Sequence, residues 1–275
     1  MIFINKKSPS VKLLNIELKK QTNNKTFWVL FILYCIVIIA VFAGTQEFIN
    51  NITTGKKNAS IPIPKLSLYS FPYIWHNLGF IAGYFKIFLA LIVVISITNE
   101  YSFKTIRQNI ICGLSKKDFL FSKILFIALL SLAGTLLLFI TGIILGLINT
   151  PSESYNLIFN DCQYILAYFL ELFSFMIFAL FCSFLLKKSG LTISLILLYS
   201  IIVEPIICVK LPDVVAKFMP VNSISNLIQL PNSSLMKLFG FQFQENVSLL
   251  NVATVIAYCV LFIWLTYYFL KKNDL

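Results

Sequence analysis

Charge is scarce in this sequence. Asp, Glu, Lys and Arg make up only 12% of its 275 residues, about half the share found in soluble domains. Eleven residues are acidic, His76 is the single histidine and Arg107 the single arginine. These gaps exclude whole classes of chemistry. No H-E-x-x-H, no G-x-S-x-G and no pair of acids within one apolar run is present, so an intramembrane enzyme has no visible machinery. The phosphate-cradling G-x-x-x-x-G-K-[ST] is also missing, and "TTGKK" at 53–57 lacks its first glycine and its spacing. ATP-driven work would have to be powered by another chain. The six cysteines (Cys35, Cys112, Cys162, Cys182, Cys208, Cys259) form no C-x-x-C, and they read as packing residues rather than a disulfide or metal framework. His76, near the end of an apolar run, reads as an interfacial aromatic-like residue.

What the sequence does have is apolar length. Hydrophobic residues make up 59% of it, 27 of them Phe. Runs at about 27–43, 74–98, 124–148, 163–186, 191–209 and 250–270 approach the ~20 residues that cross a bilayer core. Open sheets are not tolerated in lipid, so these runs are expected to be helices. The fold class expected is an all-α polytopic membrane protein of six transmembrane helices in a single domain, 1–275. It divides into an N-terminal segment 1–26, a six-span bundle 27–270 and a tail 271–275, with the first span an uncleaved anchor.

The net charge of +11 does not indicate nucleic acid here, because the basic residues flank the spans and no nucleic-acid motif accompanies them. Lys6, Lys7, Lys12, Lys19, Lys20 and Lys25 precede span one. Lys104, Arg107, Lys116, Lys117 and Lys123 follow span two; Lys187 and Lys188 follow span four, and Lys271 and Lys272 follow span six. The other side has Lys56, Lys57, Lys65, Lys210, Lys217 and Lys237 over longer loops, and none around Glu153 and Asp161. By the positive-inside rule both termini are expected in the cytoplasm. The Ile, Asn, Lys and Phe bias points to an AT-rich bacterial gene, hence to the inner membrane.

"SVKLLNIELKKQ" places Val11, Leu14 and Leu18 on one helical face, with Leu13 beside it and Lys12, Lys19 and Lys20 elsewhere, as in a basic helix lying in the membrane interface. The loop after Pro205 contains short apolar pieces cut by Pro212, Pro220 and Pro231, too brief to span and suited to re-entrant or interfacial helices. Gly79–Gly83 and Gly142–Gly146 are G-x-x-x-G matches that permit close helix approach.

The stretch "NEYSFKTIRQNIICGLSKKDFLFSK" from Asn99 to Lys123 reads as helix, break, helix. Ile106, Ile110, Ile111 and Leu114 form an apolar stripe, while Lys104, Arg107 and Gln108 line another face. Gly113 fits a helix terminator, and Ser115 with Asp118 makes a capping box for a second helix that runs into span three. The element serves either to anchor the loop or to dock a cytoplasmic partner.

Glu100, Thr105, Arg107, Gln108, Gly113, Ser115, Phe119 and Lys123 together resemble the permease subunits of ABC-2-type transporters, and the six-span layout extends that resemblance over the chain. It implies that Glu100, Lys104, Thr105, Arg107, Gln108, Gly113 and Ser115 belong to a coupling helix resting on a separate ATP-binding subunit. It further implies a dimer with a second permease copy or paralogue, export rather than import, and re-entrant helices after Glu204-Pro205. This chain would bind no cofactor directly, ATP and Mg being used by the partner. An ion-coupled secondary transporter is the alternative, since Lys86, Glu171 and Glu204 fall inside spans. At 1.5 Å per residue they lie roughly 12, 12 and 8 Å from the outer ends of their spans. Lone charges at such depth are costly, so Lys86 is expected to face inward and pair with Glu171 or Glu204.

Overall fold

The computed structural model of the chain describes residues 9–55, 69–111, 113–151, 157–231 and 246–272. Among them there are helices and no strands. The helices are α1 (Pro9–Thr22), α2 (Lys25–Gly55), α3 (Ile74–Gly83), α4 (Lys86–Ser102), α5 (Thr105–Ile111) and α6 (Lys116–Asn149), followed by α7 (Gln163–Leu186), α8 (Ser189–Leu198), α9 (Glu204–Lys210), α10 (Asp213–Ala216), α11 (Pro220–Ser225) and α12 (Leu249–Lys272). A π-helical turn, Tyr199–Val203, joins α8 to α9. Lys25–Thr45 of α2, α6, α7, the run Ser189–Lys210 and α12 are each long and apolar enough to cross a membrane. The protein is a polytopic helical membrane protein.

The expected straight helix over 74–98 is instead a bent pair. α3 and α4 pass the same test together but meet at 45°. The cause is local. Gly83 carries no Cβ, and one built there would stand 2.9 Å from the Glu171 carboxylate. The carboxylate of α7 takes that space, and the chain turns through Tyr84 and Phe85 before restarting at Lys86. A second irregularity has a covalent origin. Pro205 has no N–H and its ring crowds the carbonyl four residues earlier, so the helix widens into the π turn, with the Glu204 N–H reaching back to the Tyr199 carbonyl. α2 also continues to Gly55, well past the expected end near residue 43. Its polar end therefore replaces the first part of what reads in sequence as a loop; Lys56, Lys57 and Lys65 lie outside the described residues.

α7 is the central helix. Two-thirds of its spanning window is buried (67%), against 17% for α2 and for Ser189–Lys210. It is apolar all round, as a helix surrounded by others must be. Small residues on α6 let large ones on α3 and in the turn before it approach: a Cβ on Gly142 would stand 2.6 Å from the Trp75 ring, and one on Gly146 2.3 Å from Phe71. The Gly142–Gly146 motif thus serves packing within the chain, and Gly79, facing Ile228, does the same. Several polar atoms in the core pair with one another: the Tyr34 and Tyr168 hydroxyls are 2.8 Å apart, and the Trp75 indole donates to the Ile158 carbonyl at 2.7 Å.

Candidate functional site

Two polar centres interrupt the apolar bundle, one at each end. At the end where α1, α5 and the C-terminus of α12 lie, α5 is built as the sequence suggests. Gly113 adopts φ +95° and closes the helix, with its N–H on the Ile110 carbonyl and the Leu114 N–H on that of Asn109. The Ser115 hydroxyl accepts the Asp118 N–H at 3.1 Å and donates to the Asp118 carboxylate at 2.6 Å, starting α6. Lys104 takes a left-handed φ of 53° between α4 and α5, and the Thr105 hydroxyl lies 3.4 Å from the Glu100 carbonyl. Lys104, Arg107 and Gln108 are exposed, and Ile106 is buried. Ile110 and Leu114 pack against the core.

One expectation is corrected here. Ile111 does not join the buried stripe; it is 77% exposed. The physical reason is register. Position 111 lies four residues after 107, so Ile111 follows Arg107 onto the outward face of α5; Phe103, which caps α4 before the left-handed Lys104, is separately 72% exposed. The solvent-facing side of α5 therefore carries a basic and an apolar side chain, Arg107 and Ile111.

Behind α5 sits an ionic cluster. The buried Lys123 ammonium donates to Glu17 at 2.6 Å and to Glu100, which also receives Lys20. Gln21 donates to Glu17 at 2.8 Å and to the Ser96 hydroxyl. Lys123 and Glu100 are each 1% exposed. Two ammonium groups and two carboxylates balance, the condition for burying charge at tolerable cost. The cluster ties α1 to α4 and α6. Burial pushes the Glu17 carboxyl up, but Lys123, with help from Gln21 and Lys20, outweighs that and holds it below its ordinary value. The partnership of Glu17 and Lys20 with the Glu100–Lys123 pair is not evident from the helix pattern alone. A signal was nevertheless present: Glu17 and Gln21 fall on the same face as Leu14 and Leu18, and polar groups on an apolar face need buried partners. The side chains of Val11, Lys12 and Leu13 lie outside the described residues.

At the opposite end, Lys86 and Glu171 meet. Lys86 Nζ lies 2.7 Å from Glu171 Oε1, 2.9 Å from the Ser225 hydroxyl and 5.3 Å from the centre of the Phe175 ring. Glu204 does not contact Lys86; it accepts the Asn222 backbone N–H at 2.6 Å. Asn222 and Ser225 belong to α11, so the loop after α9 folds back to the level of these charges. It is held there by other helices: Asn251 donates to the Asn226 carbonyl at 2.9 Å, and the His76 ring, stacked on Tyr164, donates to that of Gln229 at 2.8 Å. His76 is thus a buried tether that packs as an aromatic ring does. A cavity of about 430 Å³ opens beside the ion pair, walled by Lys86, Glu171, Phe175, Ser200, Ile201 and Ser225 among others. The helix break and the π turn stand on its walls. Irregular backbone at membrane depth persists where it is enclosed by protein or lines a cavity. Among the described residues no group of three or more His, Cys, Asp or Glu side chains is placed to hold a metal ion.

Residues 58–275 match the family described as "Protein of unknown function (DUF2705)", and the chain belongs to that family. No curated protein matches it.

Proposed function

We propose that this DUF2705 family member is the membrane-spanning permease subunit of an ATP-driven ABC-2-type exporter in a bacterial inner membrane. In this reading the bent pair α3–α4 counts as one crossing, giving six spans with both termini in the cytoplasm. α1 lies in the cytoplasmic interface and α5 is the coupling helix. A separate ATP-binding subunit binds ATP and Mg and hydrolyses the nucleotide, and a second permease completes the complex; the chain itself catalyses nothing.

The observation that carries the reading is the outward face of α5. Arg107 and Ile111 stand outward on this helix of seven residues, and Phe103, which caps α4 just before it, adds a second large exposed apolar side chain. Exposing both costs free energy that a protein groove would recover. The Thr105 hydroxyl of this helix reaches the Glu100 carbonyl of α4, and the Glu100 and Lys123 side chains pin α4 to α6, so a push on α5 reaches the bundle rather than a slack loop. The basic side chains at this end support a cytoplasmic position for it by the positive-inside rule.

The test is co-purification of the cognate ATP-binding protein with wild type, Arg107→Glu and Ile111→Asp, together with ATP hydrolysis by the complex. Both variants should insert normally, lose the ATPase by about tenfold or more in affinity, and lose coupled hydrolysis. Retention of the partner by both variants would reduce α5 to an anchor. A second reading, an ion-coupled transporter, is favoured by one observation: a helix break that places a buried ion pair at membrane depth. Uptake or efflux by the chain alone in proteoliposomes, driven by an ion gradient without ATP, separates it from the first.

A further inference from the structure

We propose that the cavity between the α3–α4 break and the π turn is a binding site for amphipathic amines, molecules with an ammonium group on an apolar body. The walls set the apolar part. Phe80, Ile87, Phe175, Ile201 and Ile228 line most of a space of about 430 Å³, within the range that holds small organic ligands. Tyr84 and Ile201 at its margin are 66% and 59% exposed. An amphiphile dissolved in the lipid can therefore reach it from the side, without crossing water.

The hydrogen-bond inventory sets the polar part. Two carboxyl groups, Glu171 and Glu204, stand at this level against one ammonium, Lys86. Glu171 is 3% exposed and lines the cavity. Its Oε1 takes Lys86, while Oε2 takes no hydrogen bond among the described residues. Glu204, just behind the wall between Pro205 and Val221, leaves its own Oε2 without a partner there. Lys86 already gives two of its three N–H groups to Glu171 and Ser225. Glu204 is served by the Asn222 N–H and the neighbouring Tyr199 side chain, so the acceptor left open on the cavity wall is Glu171 Oε2, and its complement is a donor with positive charge. An ammonium beside Glu171 Oε2 supplies it, and the faces of Phe80, Tyr84 and Phe175 favour the same sign. A carboxylate or sulfate head would meet unpaired acceptors instead, and a neutral apolar body would leave Glu171 Oε2 unsatisfied.

Binding here does not depend on the exporter reading, because no ATPase takes part. The experiment uses the full chain in lipid nanodiscs and three fluorescent probes sharing one dansyl group: dansylcadaverine with its free ammonium, its N-acetylated neutral form, and dansyl-6-aminohexanoic acid. Emission and anisotropy titrations should give saturable binding of dansylcadaverine, with both other probes about tenfold or more weaker. Glu171→Gln should erase the preference for the ammonium probe. Ile201→Trp, which fills the cavity from an exposed position and leaves the charges intact, should weaken all three probes and keeps the test informative if Glu171→Gln does not fold. Equal binding of the three probes, tightest binding of the carboxylate, or no saturable binding of dansylcadaverine each overturns the proposal. Loss of the ATPase interaction in the α5 variants leaves it untouched.

Discussion

Replacing Lys123 with Met removes the one ammonium that bridges Glu17 and Glu100 while roughly keeping side-chain volume. The wild-type ammonium is 1% exposed and binds both carboxylates. After the change, Glu17 keeps only Gln21, and Glu100 keeps Lys20, whose side chain is 38% exposed and partly screened. Breaking a buried pair by removing one member costs about 3–5 kcal/mol, mostly through the charge left behind. For a chain of this size that corresponds to a fall on the order of 10 °C in melting temperature. The same reasoning fixes the direction of a rescue. Adding Glu17→Gln to Lys123→Met removes one stranded carboxylate and should recover part of the loss. The assay is thermal unfolding in detergent read by fluorescence-detected size exclusion, with a nitroxide at Ile16→Cys reporting whether α1 stays seated. Lys123→Met should loosen α1 as well as lower stability. A melting temperature within ~3 °C of wild type, about 1 kcal/mol on this scale, with α1 still immobile, would falsify the claim that this cluster holds α1 to the bundle.

The Lys86–Glu171 pair makes a parallel case: Lys86→Glu should cost about 3–5 kcal/mol and lower yield, while Lys86→Glu with Glu171→Lys should restore part of it; a double variant no better than the single one would show that the two side chains do not act as a pair. Glu17 predicts a pH response. Its folded pKa is depressed, so its contribution is present above the ordinary carboxylate value and is lost as pH falls through the folded pKa. Nitroxide mobility at position 16 should rise on acidification, and a response unchanged in Glu17→Gln would assign it to another group. Packing gives a last contrast: Gly146→Ala should destabilise by about 1–3 kcal/mol through its clash with Phe71, whereas Gly44→Ala, with nothing within 4 Å of the added carbon, should be neutral or better in the same melting assay.

Much of the architecture is written in one-dimensional pattern. Apolar runs near 20 residues specify membrane-crossing helices, because lipid offers backbone groups no other partner. Glycine and Ser-x-x-Asp mark the end of α5 and the start of α6, since both act within four residues. The proximity of Lys86 to Glu171 was also readable as equal depth, because rise per residue converts sequence distance into height in a bundle.

Azimuth was not readable in this way, and azimuth decides which charges touch. Lys86 meets Glu171 rather than Glu204 because Gly83 admits the Glu171 carboxylate against the helix break, while Glu204 turns to the Asn222 N–H of a returning loop. Helical periodicity also placed Ile111 wrongly. In a helix of seven residues the apolar set covers more than one face, and only the packing of α5 on its neighbours selects which face is buried. The joining of Glu17 and Lys20 to Glu100 and Lys123 spans some hundred positions of chain and depends on where α1 lies across α4 and α6. By itself, then, the sequence determined which segments are long and apolar enough to cross, and where α5 ends and α6 begins, because those follow from local composition and backbone geometry. The tertiary structure alone decided the pairing of charges, the outward face of α5 and the cavity, because each depends on how helices rotate and bend against one another.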